Sequence, residues 1–95
     1  MTSYRLSEQA AADIDAIYLY GIVTFGLVQA DVYVDGMQAH LARLAVAPYM
    51  YPAIDFIRPG YRRSVYGSHA IYYRLYEDGV LIVRILHGQD IDTAL

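Results

Sequence analysis

Residues 55–74 read Asp55-Phe56-Ile57-Arg58-Pro59-Gly60-Tyr61-Arg62-Arg63-Ser64-Val65-Tyr66-Gly67-Ser68-His69-Ala70-Ile71-Tyr72-Tyr73-Arg74. A Pro-Gly turn leads into alternating aromatic and polar residues. The glycine-first pair Gly67-Ser68 then reverses the chain, and the same alternation returns through Arg74. This predicts a loop feeding a β-hairpin with strands over about 62–66 and 69–77. Asp78-Gly79 is the strongest hairpin dipeptide of the chain and adds a third strand over about 80–86.

Working outward, residues 48–60 hold all three prolines and form a well-punctuated connection. Upstream, Tyr4-Arg5-Leu6 reads as a short opening strand. Ser7 suits the N-cap of a helix running to about Phe25, with Gly26 as its stop. A second helix is expected over about 27–47, ended by Pro48. The order β-α-α-β-β-β predicts one α+β domain spanning 1–95, an antiparallel sheet with a helical hairpin packed on one face. Alternation places Ile71, Tyr73 and Leu75 with Leu81, Val83 and Ile85 beneath the helices. Tyr72, Arg74, Tyr76, Ile82, Arg84 and Leu86 fall on the opposite face, expected to be half-solvated.

Each helix carries two apolar sides. Ala10, Ile14, Ile17, Tyr18, Gly21 and Phe25 form the inward stripe of the first, and Ala30, Tyr33, Met37, Leu41 and Leu44 that of the second. The far sides read Ala12, Ala16, Leu19 and Val23, then Val28, Val32, Ala39 and Val46. A helix apolar on both sides is normally covered on both sides, so these outer stripes are candidate faces for a partner helix or a second copy of the chain.

Ninety-five residues make one small domain, which buries roughly 60–65% of the surface of its unfolded chain. Seven arginines, no lysine and ten acids give a net charge of −3 and a pI near 5.4. Such a global field repels nucleic acid, whose binding draws on a basic surface. Arginine with eleven tyrosines suits planar pairing and stacking at a protein surface instead. The absence of cysteine leaves no disulfide framework. The start of the chain lacks a signal-peptide pattern, and the longest uncharged stretch, between Asp15 and Asp31, falls short of the ~20 apolar residues of a membrane span. A soluble cytoplasmic protein is the expectation.

The blocks Ile57-Arg58-Pro59-Gly60-Tyr61-Arg62-Arg63, Gly67-Ser68-His69, Tyr73-Arg74 and Val83-Arg84-Ile85-Leu86-His87 resemble, at these spacings, the ParE-type toxins of the ParE/RelE superfamily. Tyr4-Arg5-Leu6-Ser7, Ala12 to Ile17, Tyr20, Phe25-Gly26, Gln29-Ala30, Tyr33, Leu41, Leu44-Ala45 and Pro48 extend the likeness over nearly the whole chain. The family often has Trp where Phe25 stands. After the histidine it usually carries a basic residue, Met and Asp, where this chain has Gly88-Gln89-Asp90-Ile91. The resemblance implies a small cytoplasmic, non-enzymatic toxin that inhibits DNA gyrase and is neutralised by a ParD-like antitoxin encoded beside it. The RelE branch, with the same fold, implies the alternative of a ribosome-dependent mRNA endonuclease. A degenerate toxin that keeps only antitoxin binding is a third reading.

Arg58, Tyr61, Arg62, Arg63, His69, Tyr72, Arg74, Arg84 and His87 are the candidate contacts for target or antitoxin. Arg58, Arg62 and Arg63 either form an electropositive patch or pair locally with Asp55, Glu77 or Asp78. For Arg84 the alternatives are a phosphate-holding role of the RelE kind and a structural pairing with Tyr72 or an acid. His69 and His87 stand where an acid–base pair could sit, although a histidine after a tight turn more often bonds the turn backbone. With His40 on a separate helix, no metal-ligand spacing is present, and neither metal nor cofactor is assigned. Tyr49 and Tyr51, flanking Met50 in the proline-rich connection, are further candidates for partner contact.

Overall fold

The computed structural model describes residues 3–88. In chain order it contains β1 (Tyr4–Leu6), α1 (Glu8–Phe25), α2 (Leu27–Val46), a 3₁₀ turn (Pro48–Met50), β2 (Tyr61–Tyr66), β3 (His69–Tyr76) and β4 (Gly79–Leu86). The expected α+β class and element order are both present. The four strands form one sheet in the order β1-β4-β3-β2. β2, β3 and β4 are antiparallel, whereas β1 lies parallel to β4, so the sheet is mixed and not wholly antiparallel.

Local chemistry sets the ends of the helices. The Ser7 hydroxyl oxygen accepts the Ala10 N–H at 2.9 Å and caps α1. Gly26, at φ 94°, reverses the backbone between the helices, and its N–H donates to the Ile22 carbonyl. Pro48 follows the last turn of α2 and opens the 3₁₀ turn.

The two helices cover one face of the sheet. Ala10 and Ile14 of α1 and Met37, Leu41, Leu44 and Ala45 of α2 pack on Ile71, Tyr73, Val80, Ile82 and Ile85. Here the strict alternation expected for β4 fails. Tyr72 pairs with Arg84 but Tyr73 pairs with Ile82, so Val83 is an extra residue in a β-bulge. Val80 and Ile82 therefore lie under the helices in place of Leu81 and Val83, and the bulge returns Ile85 to the core. Leu75 shares the parity of Tyr73 but lies beyond the cover of the helices and is exposed. Phe25, expected inward, is also exposed and meets Tyr20 edge-on at 6.5 Å.

The second hairpin turns one residue earlier than the Asp-Gly signal suggests. Tyr76 pairs with Gly79, leaving Glu77 and Asp78 as the turn, with Glu77 in the left-handed region at φ 54°. Gly79 belongs to the strand because β1 passes tightly beside it. The Val80 N–H donates to the Ser3 carbonyl at 3.1 Å, and a Cβ on Gly79 would strike that same carbonyl.

Tyr73 is the largest side chain wholly inside the core, and its hydroxyl donates to the Pro48 carbonyl at 2.6 Å. Burial pushes this phenol up to about 12 from its ordinary 10.0. Tyr73→Phe leaves the Pro48 carbonyl without this donor and should lower stability by about 1–2 kcal/mol at pH 7. Because the folded phenol ionises later than the unfolded one, native protein loses stability as pH rises from 10 through 12. The difference between native and variant unfolding midpoints in urea should therefore narrow over that range.

Candidate functional site

The connection from Tyr51 to Tyr61 is built by its own backbone. Asp55 accepts the Gly60 N–H at 2.7 Å on one carboxylate oxygen, and Ile57 and Arg58 both donate to the Ile54 carbonyl. Ala53 bridges Arg62 antiparallel, so this segment lies along part of the outer edge of β2. Ile54 drops onto Tyr72 and Leu86 and makes a small second core on the face away from the helices. That face is consequently less open than alternation alone suggests. Tyr72, a candidate contact residue, is buried, and its hydroxyl accepts from Arg63 Nε at 3.2 Å.

Around this segment stand Arg58, Arg62, Arg63 and Arg74. Arg62 donates to the Tyr51 carbonyl at 2.6 Å and lies over the Tyr49 ring at 4.9 Å. Arg63 lies over Tyr72 at 6.0 Å and Arg74 over Tyr76 at 5.4 Å. Among the described residues none of the four has a carboxylate partner, so local pairing with Asp55, Glu77 or Asp78 does not occur. Tyr61 is half-buried beside Arg62 and Arg74 in a shallow groove of about 400 Å3. An acidic chain thus holds four cations free of acids around this end of its sheet, with Arg62, Arg63 and Arg74 each lying over a tyrosine ring. The exposed Tyr49 and Met50 extend this surface.

Arg84 takes the structural role. Its Nε and Nη2 donate to the two carboxylate oxygens of Asp13 at 2.8 and 3.0 Å, and the Ile85 N–H adds a third bond to the same carboxylate at 2.9 Å. The pair raises the arginine above its ordinary value. Asp13 was legible only indirectly: it is an acid three residues from Ala10 and four from Ile17, on the inward side of α1.

His69 and His87 meet at the far end of the sheet, ring centroids 5.1 Å apart. Tyr33 organises this corner. Its hydroxyl lies 2.6 Å from His69 Nδ1, donates to the Tyr66 carbonyl at 3.1 Å and accepts from the Ser68 N–H at 3.3 Å. The corner closes one end of an apolar groove of about 500 Å3 between the helical hairpin and the Gly67–Ser68 turn. Burial, then the neighbouring His87, holds His69 below its ordinary 6.5. His40 contacts the buried Ser64 hydroxyl at 2.7 Å, and burial and Arg43 hold it low as well. The residues after Gly88, where the chain departs from the family pattern, lie outside the described residues.

The outer helix stripes are open to solvent. Leu19 is 63% exposed, Val23 87%, Val28 75%, Val32 64% and Val46 70%. Ala12, Ala16 and Ala39 are exposed with them.

The described residues thus form a sheet-and-hairpin domain with an arginine–tyrosine surface and two uncovered apolar stripes. Among the described residues no cluster of three histidine or acidic side chains could hold a metal ion. The chain belongs to the ParE toxin family: residues 4–92 match the family described as ParE toxin of type II toxin–antitoxin system, parDE. It is 40% identical over 87 residues to Toxin ParE1 of Caulobacter vibrioides, covering 92% of this chain and 90% of that protein. It is 37% identical over 94 residues to Toxin ParE1 of Mycobacterium tuberculosis, covering 97% and 96%. Its fold matches a solved chain of the chromosomal ParDE TA system from P. aeruginosa with a TM-score of 0.78. That match covers 94% of this chain and 98% of the other at 24% identity.

The two lowered histidines make stability depend on pH. The unfolded chain binds protons at His69 and His40 near their ordinary 6.5, before the folded chain does. Stability should fall as pH drops from 7.5 through 6.5 toward the folded values. His69→Gln should flatten that slope, as read from urea midpoints between pH 7.5 and 5.5.

Proposed function

We propose that this chain is a toxin that inhibits DNA gyrase in the cytoplasm and is held inactive by a ParD-like antitoxin. Membership of the ParE family across residues 4–92 is the observation that carries the reading. The arginine–tyrosine face supports a protein target. Planar guanidiniums over aromatic rings suit carboxylates and backbone carbonyls of a partner, while the overall charge of −3 opposes a polynucleotide. A non-enzymatic action agrees with the bidentate pairing of Arg84 with Asp13, which takes the guanidinium that a RelE-type nuclease would turn toward a scissile phosphate.

The outer stripes supply the antitoxin surface. Burying a leucine or valine side chain is worth about 1.5–3 kcal/mol, so Leu19, Val23, Val28 and Val32 together favour an amphipathic helix laid across the hairpin. Left open, the same residues are an aggregation liability that a permanent partner removes.

Induced without its antitoxin, the protein should cause filamentation and a DNA-damage response before protein synthesis declines. Early translational arrest with ribosome-dependent mRNA cleavage would assign it to the nuclease branch instead, and unimpaired growth with soluble protein to a degenerate toxin. Leu19→Glu combined with Val32→Glu should weaken antitoxin binding at least tenfold by calorimetry and leave the growth arrest caused by the free protein intact.

A further inference from the structure

The sheet face away from the helices is covered at one end, where Ile54 lies on Tyr72 and Leu86. Toward the Glu77–Asp78 turn it stays open: Arg5 is exposed, and Arg74, Tyr76 and Leu81 are only half-buried. Strand pairing lines up one row of side chains there across all four strands. Tyr61 stands opposite Arg74, Arg74 opposite Leu81, and Leu81 beside Arg5. Val80 and Ile82 pack under the helices, so alternation turns Leu81 and its whole row outward. Arg5 thereby joins Arg74 on one surface, although sixty-nine positions separate them in the chain.

Tyr76 ties this row together. The guanidinium carbons of Arg5 and Arg74 both lie over its ring, 5.7 and 5.4 Å from the centroid. Among the described residues neither arginine has a carboxylate partner, even with Glu77 and Asp78 in the adjoining turn. Arg74 spends one long bond, at 3.4 Å, on the Leu75 carbonyl. Neighbouring strands lie about 4.8 Å apart, so the two arginine backbones start about 10 Å from each other with Leu81 between them.

The arrangement selects its ligand. Two cations that share one ring repel each other, and carboxylates placed on them remove that repulsion. Leu81 offers an apolar contact in the middle. A protein segment with an apolar side chain between acidic ones meets all three residues. A polynucleotide fits less well, because two arginines neutralise few phosphates and the net charge of −3 opposes the rest.

We propose that Arg5, Leu81 and Arg74, with the Tyr76 ring under both guanidiniums, form the face on which the toxin docks an acidic segment of its target protein. This rests on the gyrase-inhibitor reading and names, within it, the surface used and the chemistry of the segment it takes. The face belongs to the sheet, apart from the apolar stripes of the helical hairpin.

The probe is purified DNA gyrase from the organism that carries this gene, with binding and inhibition of supercoiling as readouts. Arg5→Glu and Arg74→Glu should each weaken binding at least fivefold and inhibition in parallel, and added salt should weaken the unaltered protein toward the same level. Arg43→Glu makes the same change in net charge on α2 and should bind like the unaltered protein. Urea midpoints and antitoxin binding should stay unchanged in all three. Should a glutamate lower the midpoint, Arg5→Gln and Arg74→Gln keep the test open and should each weaken binding at least threefold. Full binding by the Arg5 and Arg74 variants would overturn the proposal and leave the toxin reading standing. An equal loss in Arg43→Glu would overturn it by assigning the effect to net charge. Binding of the unaltered protein to duplex DNA alone, lost in Arg5→Glu and Arg74→Glu, would overturn it by assigning the face to a polynucleotide. Failure of the unaltered protein to bind or inhibit gyrase would overturn both readings.

Discussion

The Asp13 carboxylate fastens the helical layer to the sheet. It receives both ends of the Arg84 guanidinium and the Ile85 amide, two of these bonds on one oxygen and one on the other. Nearly two turns earlier the Ser7 hydroxyl donates to the Val83 carbonyl at 2.7 Å, and the Ser7 amide donates to the Ile82 carbonyl at 3.0 Å. β1 pairs with β4 only as far as Ile82, so the start of α1 completes the edge that this short strand leaves open. The bulge at Val83 belongs to the same arrangement. It offers the Val83 carbonyl to Ser7 and brings the Arg84 and Ile85 donors to Asp13. Charge-assisted bonds in such a half-buried setting are stronger than neutral ones, and they fix direction as well as distance. The placement of the whole hairpin follows from this seam, from the apolar packing of α2 on the sheet, and from Tyr33, His40 and Tyr73 at the other end.

With the hairpin held in that way, its outer faces are left apolar and uncovered while its inner faces build the core. Other apolar groups stay open with them, including Phe25, Tyr49, Met50 and Phe56. The cost of this exposure falls on the free protein, which has a small core and a large apolar surface. Any partner that bound these faces in the folded protein alone would raise its stability by mass action. The arginine–tyrosine surface lies on the sheet and the loop before it, so it and the uncovered helix faces belong to different elements.

Much of the fold was legible in local chemistry. Ser7 and Gly26 marked the limits of α1, Pro48 closed α2, and Gly67-Ser68 set the first hairpin, because caps and turns depend on only a few neighbouring residues. The inward stripes were legible from helical periodicity, except at Phe25, where the hairpin runs past the sheet. The Asp78-Gly79 signal found the right hairpin but the wrong register. Tight passage of β1 beside Gly79 decided that, a contact between residues more than seventy positions apart.

The sequence by itself determined the element order, the family, the doubly apolar helices and the arginines available for a surface, since each depends on composition and short spacing. Tertiary structure alone decided that β1 runs parallel to β4, that a bulge exchanges Val83 for Ile82 in the core, and that Ile54 buries Tyr72. It also decided which arginine is structural and which are available. Arg84 and Arg63 each fall within a strand expected from the sequence, and nothing adjacent in the chain decides their roles. Only the fold brings Asp13 to the first, seventy-one residues away, and leaves the second on an open edge without an acid to meet it.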